Sequence, residues 1–254
     1  MRLYNTLLRH FGNGYEIMLL SVIIPAFNEQ ATIYRILQRV SSVELIEGIE
    51  KELVVVNDCS VDDTEAELFR FRSENPDITI NYQKHEVNRG KGAALRTGIL
   101  SATGDFIVVQ DADLEYDPRE FNLLLQPLLD GFADVVYGSR FVGSKPHRVL
   151  FFFHSIGNRF LTFLSNLLTN INISDLETGY KLFKSGIIKN INLIEDRFGF
   201  EAEVTAKISR IPNIRIYEIG ISYYGRTYTE GKKINWKDGF KAIYCIIKYN
   251  IFSK

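Results

Sequence analysis

The amino-acid sequence predicts an α/β fold, a mostly parallel sheet covered by helices on both faces. Three observations carry that expectation. Short apolar runs of strand length recur through the first half of the chain, too continuously hydrophobic to expose a face to water. Stretches with apolar residues at helical spacing separate them. Acidic and amide residues follow the runs directly, and an open parallel sheet gathers such residues along one edge, outside the carboxyl ends of its strands. A content of 46% hydrophobic and 24% charged residues supports an ordinary folded core. The formal net charge of −1 gives no overall attraction for nucleic acid, so no nucleic-acid partner is expected.

Leu20 to Pro25 reads as the first strand. Ile33, Ile36, Leu37 and Val40 then recur at helical spacing, with Asn28 as the expected cap. Leu53 to Val56 is the second strand, and Ser60 to Asp63 forms a capping-box pattern before a second helix. Ile78 to Tyr82 and Phe106 to Val109 follow as strands. Asp117-Pro118-Arg119-Glu120 opens another helix with proline at its first position, which Pro127 should kink or end. Ala133 to Tyr137 supplies a fifth strand.

From 147 to 169 the character changes. Helical spacing puts Val149, Phe152, Phe153, Ile156, Phe160, Phe163, Leu164 and Leu167 on one broad face, with Ser155, Asn158, Arg159, Thr162 and Asn166 opposite. Such a face either lies in a membrane interface or packs on the sheet, and both fates stay open. Phe240 to Phe252 carries the same ambiguity. No run reaches the length of a membrane span, and Met1 to Leu20 lacks the apolar core and cleavage site of a signal peptide. Cys59 and Cys245 form no C-x-x-C pattern. A cytoplasmic protein follows, with peripheral attachment to the inner membrane face where the apolar helix is interfacial.

Chemistry concentrates at the strand ends. Asn28 and Glu29, Asn57 and Asp58, then Asp111 and Asp113 each follow a strand and converge on one pocket. Two carboxylates one residue apart after a buried strand suit a hard divalent cation, magnesium or manganese, that keeps coordination places free for a substrate diphosphate. An isolated D-x-D more often solvates a turn; three converging sets argue otherwise. Gly90-Lys91-Gly92 lacks the spacing of a dinucleotide loop, and no Walker A sequence is present.

Ile24-Pro25-Ala26-Phe27-Asn28-Glu29, Val56-Asn57-Asp58-Cys59-Ser60, Asn88-Arg89-Gly90-Lys91-Gly92, Asp111-Ala112-Asp113 and Gly138-Ser139-Arg140 resemble, in order and spacing, the motifs of family 2 glycosyltransferases. Asp175-Leu176-Glu177-Thr178-Gly179-Tyr180-Lys181-Leu182-Phe183, Phe198-Gly199-Phe200-Glu201 and the Arg226 to Lys233 segment look like the dolichyl-phosphate mannosyltransferase and glucosyltransferase branch. The resemblance runs from about Leu20 to Tyr249 and implies a Rossmann-like GT-A fold, a GDP- or UDP-hexose donor, a divalent cation and inversion at the anomeric carbon. Met18, one of two methionines, stands directly before the first strand, so residues 1–17 read as an N-terminal extension to one catalytic domain over 18–254, with a nucleotide-binding half at about 18–141 and an acceptor-binding half at about 142–254.

By position, the resemblance assigns Pro25, Asn28, Glu29, Asp58, Lys91, Asp111, Ala112 and Asp113 to the nucleotide-sugar. Asp111, Asp113 and Glu115 would hold the metal, although an exposed acid is the plainer reading of Glu115. Cys59 replaces the usual glycine. A phosphate acceptor is already mostly dianionic at neutral pH and needs cations more than a base, and Arg140, Arg226, Lys232 and Lys233 are the candidates. Gly225 and Gly231 flank a loop suited to closing over substrate. Asp175 either orients these cations or acts as a base, with Glu201 and Glu203 as weaker bases; His154 reads as a packing residue. Catalytic work therefore falls to Asp113, Asp175 and Arg140. The expected reaction moves a hexose to a polyprenyl phosphate; the alternative is transfer to a hydroxyl of a glycan or lipid in cell-envelope polysaccharide synthesis.

Overall fold

The computed structural model describes residues 10–11, 14–15, 17–146, 148–149, 151–226 and 236–252. In chain order these form β1 (His10–Phe11), β2 (Gly14–Tyr15), β3 (Leu19–Ala26), α1 (Ile33–Ser41), β4 (Glu50–Asn57), α2 (Thr64–Glu74), β5 (Ile80–Lys84), α3 (Lys91–Ser101), β6 (Phe106–Val109), α4 (Phe121–Leu129), β7 (Val135–Ser139), α5 (Phe152–Thr169), β8 (Lys181–Lys184), α6 (Ser185–Ile188), α7 (Phe200–Ile208), β9 (Ile216–Gly220) and α8 (Trp236–Ile247).

Seven strands make one sheet in the order β5-β4-β3-β6-β8-β7-β9, with β1 and β2 as a separate small ladder. Within the seven-stranded sheet all pairings are parallel except those of β8, which runs antiparallel to both β6 and β7. Val22, Ile24 and Val55 pack beneath α1 and α2 on one face, while Ile23, Val54, Ile107 and Val109 pack against α3 and α7 on the other. The expected mostly parallel sheet with two covered faces is therefore present. A close approach fixes Gly98 of α3, where an added Cβ would lie 2.4 Å from an Ile23 methyl.

Several local expectations shift. Asn28 does not cap α1; it is left-handed (φ 53°), and its side chain instead accepts from Val61 N at 2.9 Å. The Ser60 to Asp63 box does not form either, because Asp62 bonds the Thr64 backbone at 3.1 Å and α2 begins one residue beyond the pattern. Asp117 accepts from Arg119 N as a cap, but Pro118–Glu120 is a single 3-10 turn before α4. Pro127 lies within α4, which ends two residues later at Leu129. The fifth strand runs Val135–Ser139 instead of Ala133 to Tyr137, and β8, not foreseen, separates it from β6.

Helix α5 resolves the fate of the apolar face. Phe152, Phe153, Ile156, Phe160, Phe163 and Leu167 are exposed, Phe153 to 83%, whereas Thr162 and Ser165 are buried. Most of the polar side of this helix faces the protein and most of the apolar side faces outward; Leu164 instead leans on the core and Arg159 is exposed. Helix α8 packs beside α5, with Phe240 and Tyr244 also exposed. Among the described residues, no helix is long and apolar enough to cross a membrane.

Candidate active site

Each strand end delivers its polar residues by a specific turn. After β3, Asn28 N donates to Ser60 Oγ at 3.0 Å and Glu29 N to Thr64 Oγ1 at 2.7 Å, joining the first two loops. Pro25 stays in the ladder opposite Val56. After β4, Asp58 is 3% exposed and accepts from Arg89 N at 2.9 Å and Gly90 N at 2.7 Å, with His85 Nδ1 at 2.6 Å. It thus holds the turn that starts α3. Gly90 is required there: its φ is +98°, and a Cβ would meet Asp196 O at 2.5 Å. His85, which reaches Thr97 with its other nitrogen at 2.9 Å, was not singled out in the sequence.

Lys91, the first residue of α3, places Nζ 2.8 Å from Asp111 Oδ1 and 3.8 Å from Glu201 Oε1. Burial opposes its charge, but Asp111 and Glu201 hold the ammonium above its ordinary value. Asp111 and Asp113 flank buried Ala112 after β6. Arg226 Nη2 stands 2.9 Å from Asp113 Oδ2, its Nε 3.6 Å from Glu115 and its Nη1 3.7 Å from Glu29. Burial, then the charges of Asp111 and Glu115, push Asp113 up to about 7 despite Arg226. Glu115 also accepts from Tyr223 Oη at 2.8 Å and from Arg226 N at 2.7 Å, so it ties this loop to the strand end.

Among the described residues, no three His, Cys, Asp or Glu side chains are drawn into a metal cage; Lys91 and Arg226 bridge the carboxylates instead. The donor set nevertheless fits a hard divalent cation. Asp111, Asp113 and Glu115 offer only oxygen, and the mutual repulsion that raises Asp113 is what a bound cation relieves.

A second, cationic centre lies beyond β7. The Arg140 guanidinium makes a bidentate pair with Asp175, Nε to Oδ2 and Nη2 to Oδ1, both at 2.7 Å. Burial alone would raise the Asp175 carboxyl, yet Arg140 holds it below the ordinary value, which suits an orienting anion and not a base. Arg140, Phe141, Arg148, Ser155, Arg159 and Tyr223 line a cavity of about 190 Å³. A larger depression of about 490 Å³ lies between Phe69 and Ile80 and includes none of the strand-end acids.

The remaining expected residues divide. Glu201 is buried beside Lys91, with burial raising its carboxyl and Oε2 lacking a hydrogen-bond partner among the described residues. Glu177, unremarked as a site residue in the sequence, is pushed up to about 7 by burial and by Glu201. Glu203 belongs to the core: it is fully buried, accepts from Ile194 N and Glu195 N and pairs with Lys207 at 2.5 Å, so its geometry is not that of a base. Arg226 joins the strand-end carboxylates and not the arginine-lined cavity. His154 packs 5.9 Å from the Phe151 ring. Lys232 and Lys233 lie outside the described residues. Ser155 and Arg159 carry no site assignment in the sequence, where their one-turn spacing on the polar side of α5 was the available signal; Arg148 precedes that helix and offers none.

The Glycosyl transferase family 2 profile matches residues 21–191. The chain belongs to this family. It is 28% identical over 236 residues to the dolichol-phosphate mannosyltransferase of Pyrococcus furiosus, covering 91% of this chain and 64% of that one. The dodecaprenyl-phosphate galacturonate synthase of Rhizobium johnstonii is 24% identical, over 84% of this chain and 61% of its own. The dolichyl-phosphate β-glucosyltransferase ALG5A of Trichomonas vaginalis is 29% identical, over 92% and 74%. The chain thus spans under two thirds of two of these curated relatives and resides in the dolichyl-phosphate mannosyltransferase-like branch. Its fold matches glucosyl-3-phosphoglycerate synthase from Mycobacterium tuberculosis, solved with Mn2+ and UDP-glucose, at a TM-score of 0.71 and 19% identity, over 92% of this chain and 79% of that one. This is the GT-A fold, and the family 2 protein is a hexosyltransferase.

Proposed function

We propose that the enzyme transfers a hexose from a GDP- or UDP-sugar to a polyprenyl phosphate at the inner membrane face, with Mg2+ or Mn2+ on the donor. One juxtaposition carries the reading: the cavity walled by Arg140, Arg148 and Arg159 adjoins α5, whose phenylalanines face outward. A cationic hollow beside an exposed apolar stripe matches an anionic headgroup on an isoprenoid tail.

Asn28, Glu29, Asp58 and Lys91 border the nucleotide-diphosphate side, and Asp111, Asp113 and Glu115 would hold the cation, which would supply Lewis-acid stabilisation of the departing diphosphate. An acceptor phosphate oxygen held by the arginines attacks the anomeric carbon. A carbon–oxygen bond forms on one face as the bond to the diphosphate breaks on the other, its electron pair leaving with the nucleotide. A dianionic acceptor gives up no proton, which agrees with Asp175 being committed to Arg140. Lipid-phosphate sugar transfer by three relatives is consistent with this acceptor.

The test is incubation with UDP-glucose or GDP-mannose, Mg2+ or Mn2+, and either polyprenyl phosphate or the matching polyprenol. Sugar should pass to the phosphate alone. Efficient transfer to the polyprenol or to a glycan hydroxyl would overturn the proposal.

A further inference from the structure

We propose that Asn158 is a positioning residue for the acceptor: it fixes the Asp175 carboxylate, and through it the Arg140 guanidinium, in the orientation that receives a phosphate. The inference rests on the phosphate-acceptor reading above and assigns a part in it to a residue of the outward-facing helix.

Asp175 is fully buried and accepts from Arg140 N at 3.1 Å, Arg140 Nε and Nη2 at 2.7 Å, and Asn158 Nδ2 at 3.3 Å. With both oxygens engaged, the carboxylate plane is set, and so is the plane of the arginine fork paired with it. Arg140 also lines the cavity, and its guanidinium carries donors beyond the two that Asp175 takes. Asn158 stands one helical turn before Thr162 and two before Asn166. Thr162 Oγ1 accepts from Leu176 N at 3.1 Å, and Asn166 Nδ2 donates to Ile173 O at 2.7 Å. One polar stripe of α5 therefore grips residues 173 to 176 over successive turns.

The plain alternative is that all three residues merely dock the helix. Two features separate Asn158 from its neighbours. Thr162 and Asn166 bond backbone groups, which any sequence offers, whereas Asn158 bonds the side chain that orients Arg140. Its Oδ1 is also buried with no hydrogen-bond partner among the described residues, a cost that a residue chosen only for docking would avoid. An amide suits this place chemically: a carboxylate would repel Asp175, and a cation would compete with Arg140 for it.

Binding of citronellyl phosphate, a short isoprenoid monophosphate, to the full chain with UDP and Mn2+ tests the idea by titration calorimetry. Asn158→Ala should weaken phosphate binding about tenfold, the scale of one charge-assisted hydrogen bond, and leave UDP–Mn2+ affinity within about twofold. Asn158→Asp should weaken it more at pH 8 and recover, relative to wild type at the same pH, as the introduced carboxyl takes up a proton and donates to Asp175. Asn166→Ala should lower the melting temperature without changing phosphate affinity. Equal weakening by Asn158→Ala and Asn166→Ala, or equal loss of UDP–Mn2+ affinity, overturns the assignment. So does wild-type binding by Asn158→Ala where Arg159→Ala binds weakly, a result that leaves the acceptor reading standing. If neither wild type nor Arg159→Ala discriminates the phosphate, the acceptor reading fails and the assignment with it.

Discussion

Asp113→Asn is expected to move activity and stability in opposite directions. The Asp113 side chain is 17% exposed and is raised from 3.8 to about 7 by burial and by Asp111 and Glu115. Because the folded value lies above the unfolded one, the folded protein holds this proton more tightly. The penalty for ionisation is absent below about pH 4, grows between about pH 4 and about pH 7, and is constant above. Its full size is about 4 kcal/mol. The value of about 7 already contains the Arg226 attraction, and water at the 17% exposed side chain screens part of the penalty, so removing it with asparagine leaves a net gain of about 1–2 kcal/mol. For a chain of this length the melting temperature in EDTA should rise by about 2–8 °C at pH 8, and the gap should close toward pH 4. On the proposed role of Asp113 in holding the donor's cation, turnover should fall by about 10²-fold or more. Wild-type Mn2+–UDP affinity should strengthen as pH rises through about 7, where Asp113 releases its proton, and the variant should lose that dependence. Scanning fluorimetry across pH and a donor-turnover assay read both effects. A variant that melts below wild type at pH 8, or turns over normally in saturating Mn2+, refutes the reasoning.

Phe152→Ser combined with Phe153→Ser should leave the melting temperature within about 2 °C, since these rings are 72% and 83% exposed, yet reduce vesicle flotation at least about tenfold; unfolding without loss of flotation would make the segment core. Glu203→Ala should cost about 3–5 kcal/mol, because it strips the bonds to Ile194 N, Glu195 N and Lys207, while the folded fraction keeps its kinetic constants; lost turnover at an unchanged melting temperature would restore it as a base. Gly179→Ala would put a Cβ 2.6 Å from Asp111 Oδ2 and 3.2 Å from Lys91 Nζ, so UDP–Mn2+ affinity should drop about tenfold, and unaltered affinity in calorimetry would show that the floor of the site yields.

The strands that sequence reasoning found are those with a continuous apolar core, such as Leu53 to Val56 inside β4 and Phe106 to Val109, which is β6 itself. Those it missed break the pattern. β8 is Lys-Leu-Phe-Lys, and its first lysine is buried against the Leu176 and Thr178 carbonyls instead of marking a solvent edge. β9 is an edge strand in which Tyr217 is exposed and Glu218 bonds Ser174 N at 2.8 Å. The strand-end acids were legible because topology alone gathers them. The pairing of Lys91 with Asp111 and of Arg226 with Asp113 was not, since it depends on residues 20 and 113 positions apart. For α5 the periodicity separated the two faces, apart from Leu164 and Arg159, but not which one turns inward, because Asn158, Thr162 and Asn166 find their partners only in the folded 173–176 segment.

The antiparallel entry of β8 explains how the two centres are joined. Tyr137 pairs with Lys181 and Val108 with Leu182, so the start of β8, not its end, lies at the edge where β6 and β7 finish. The residues before Lys181 must therefore pass between Asp111, just after β6, and Arg140, just after β7. On one side of that passage Asp175 grips Arg140; on the other, Gly179 lies against Asp111 and Lys91, with its amide held by Tyr116 Oη at 3.0 Å. A parallel strand in the same slot would bring its following loop to this edge and leave the 175–180 segment at the opposite end of the sheet. The single reversed strand is thus what sets the cationic cavity beside the paired carboxylates, at the separation fixed by a few residues of one continuous chain.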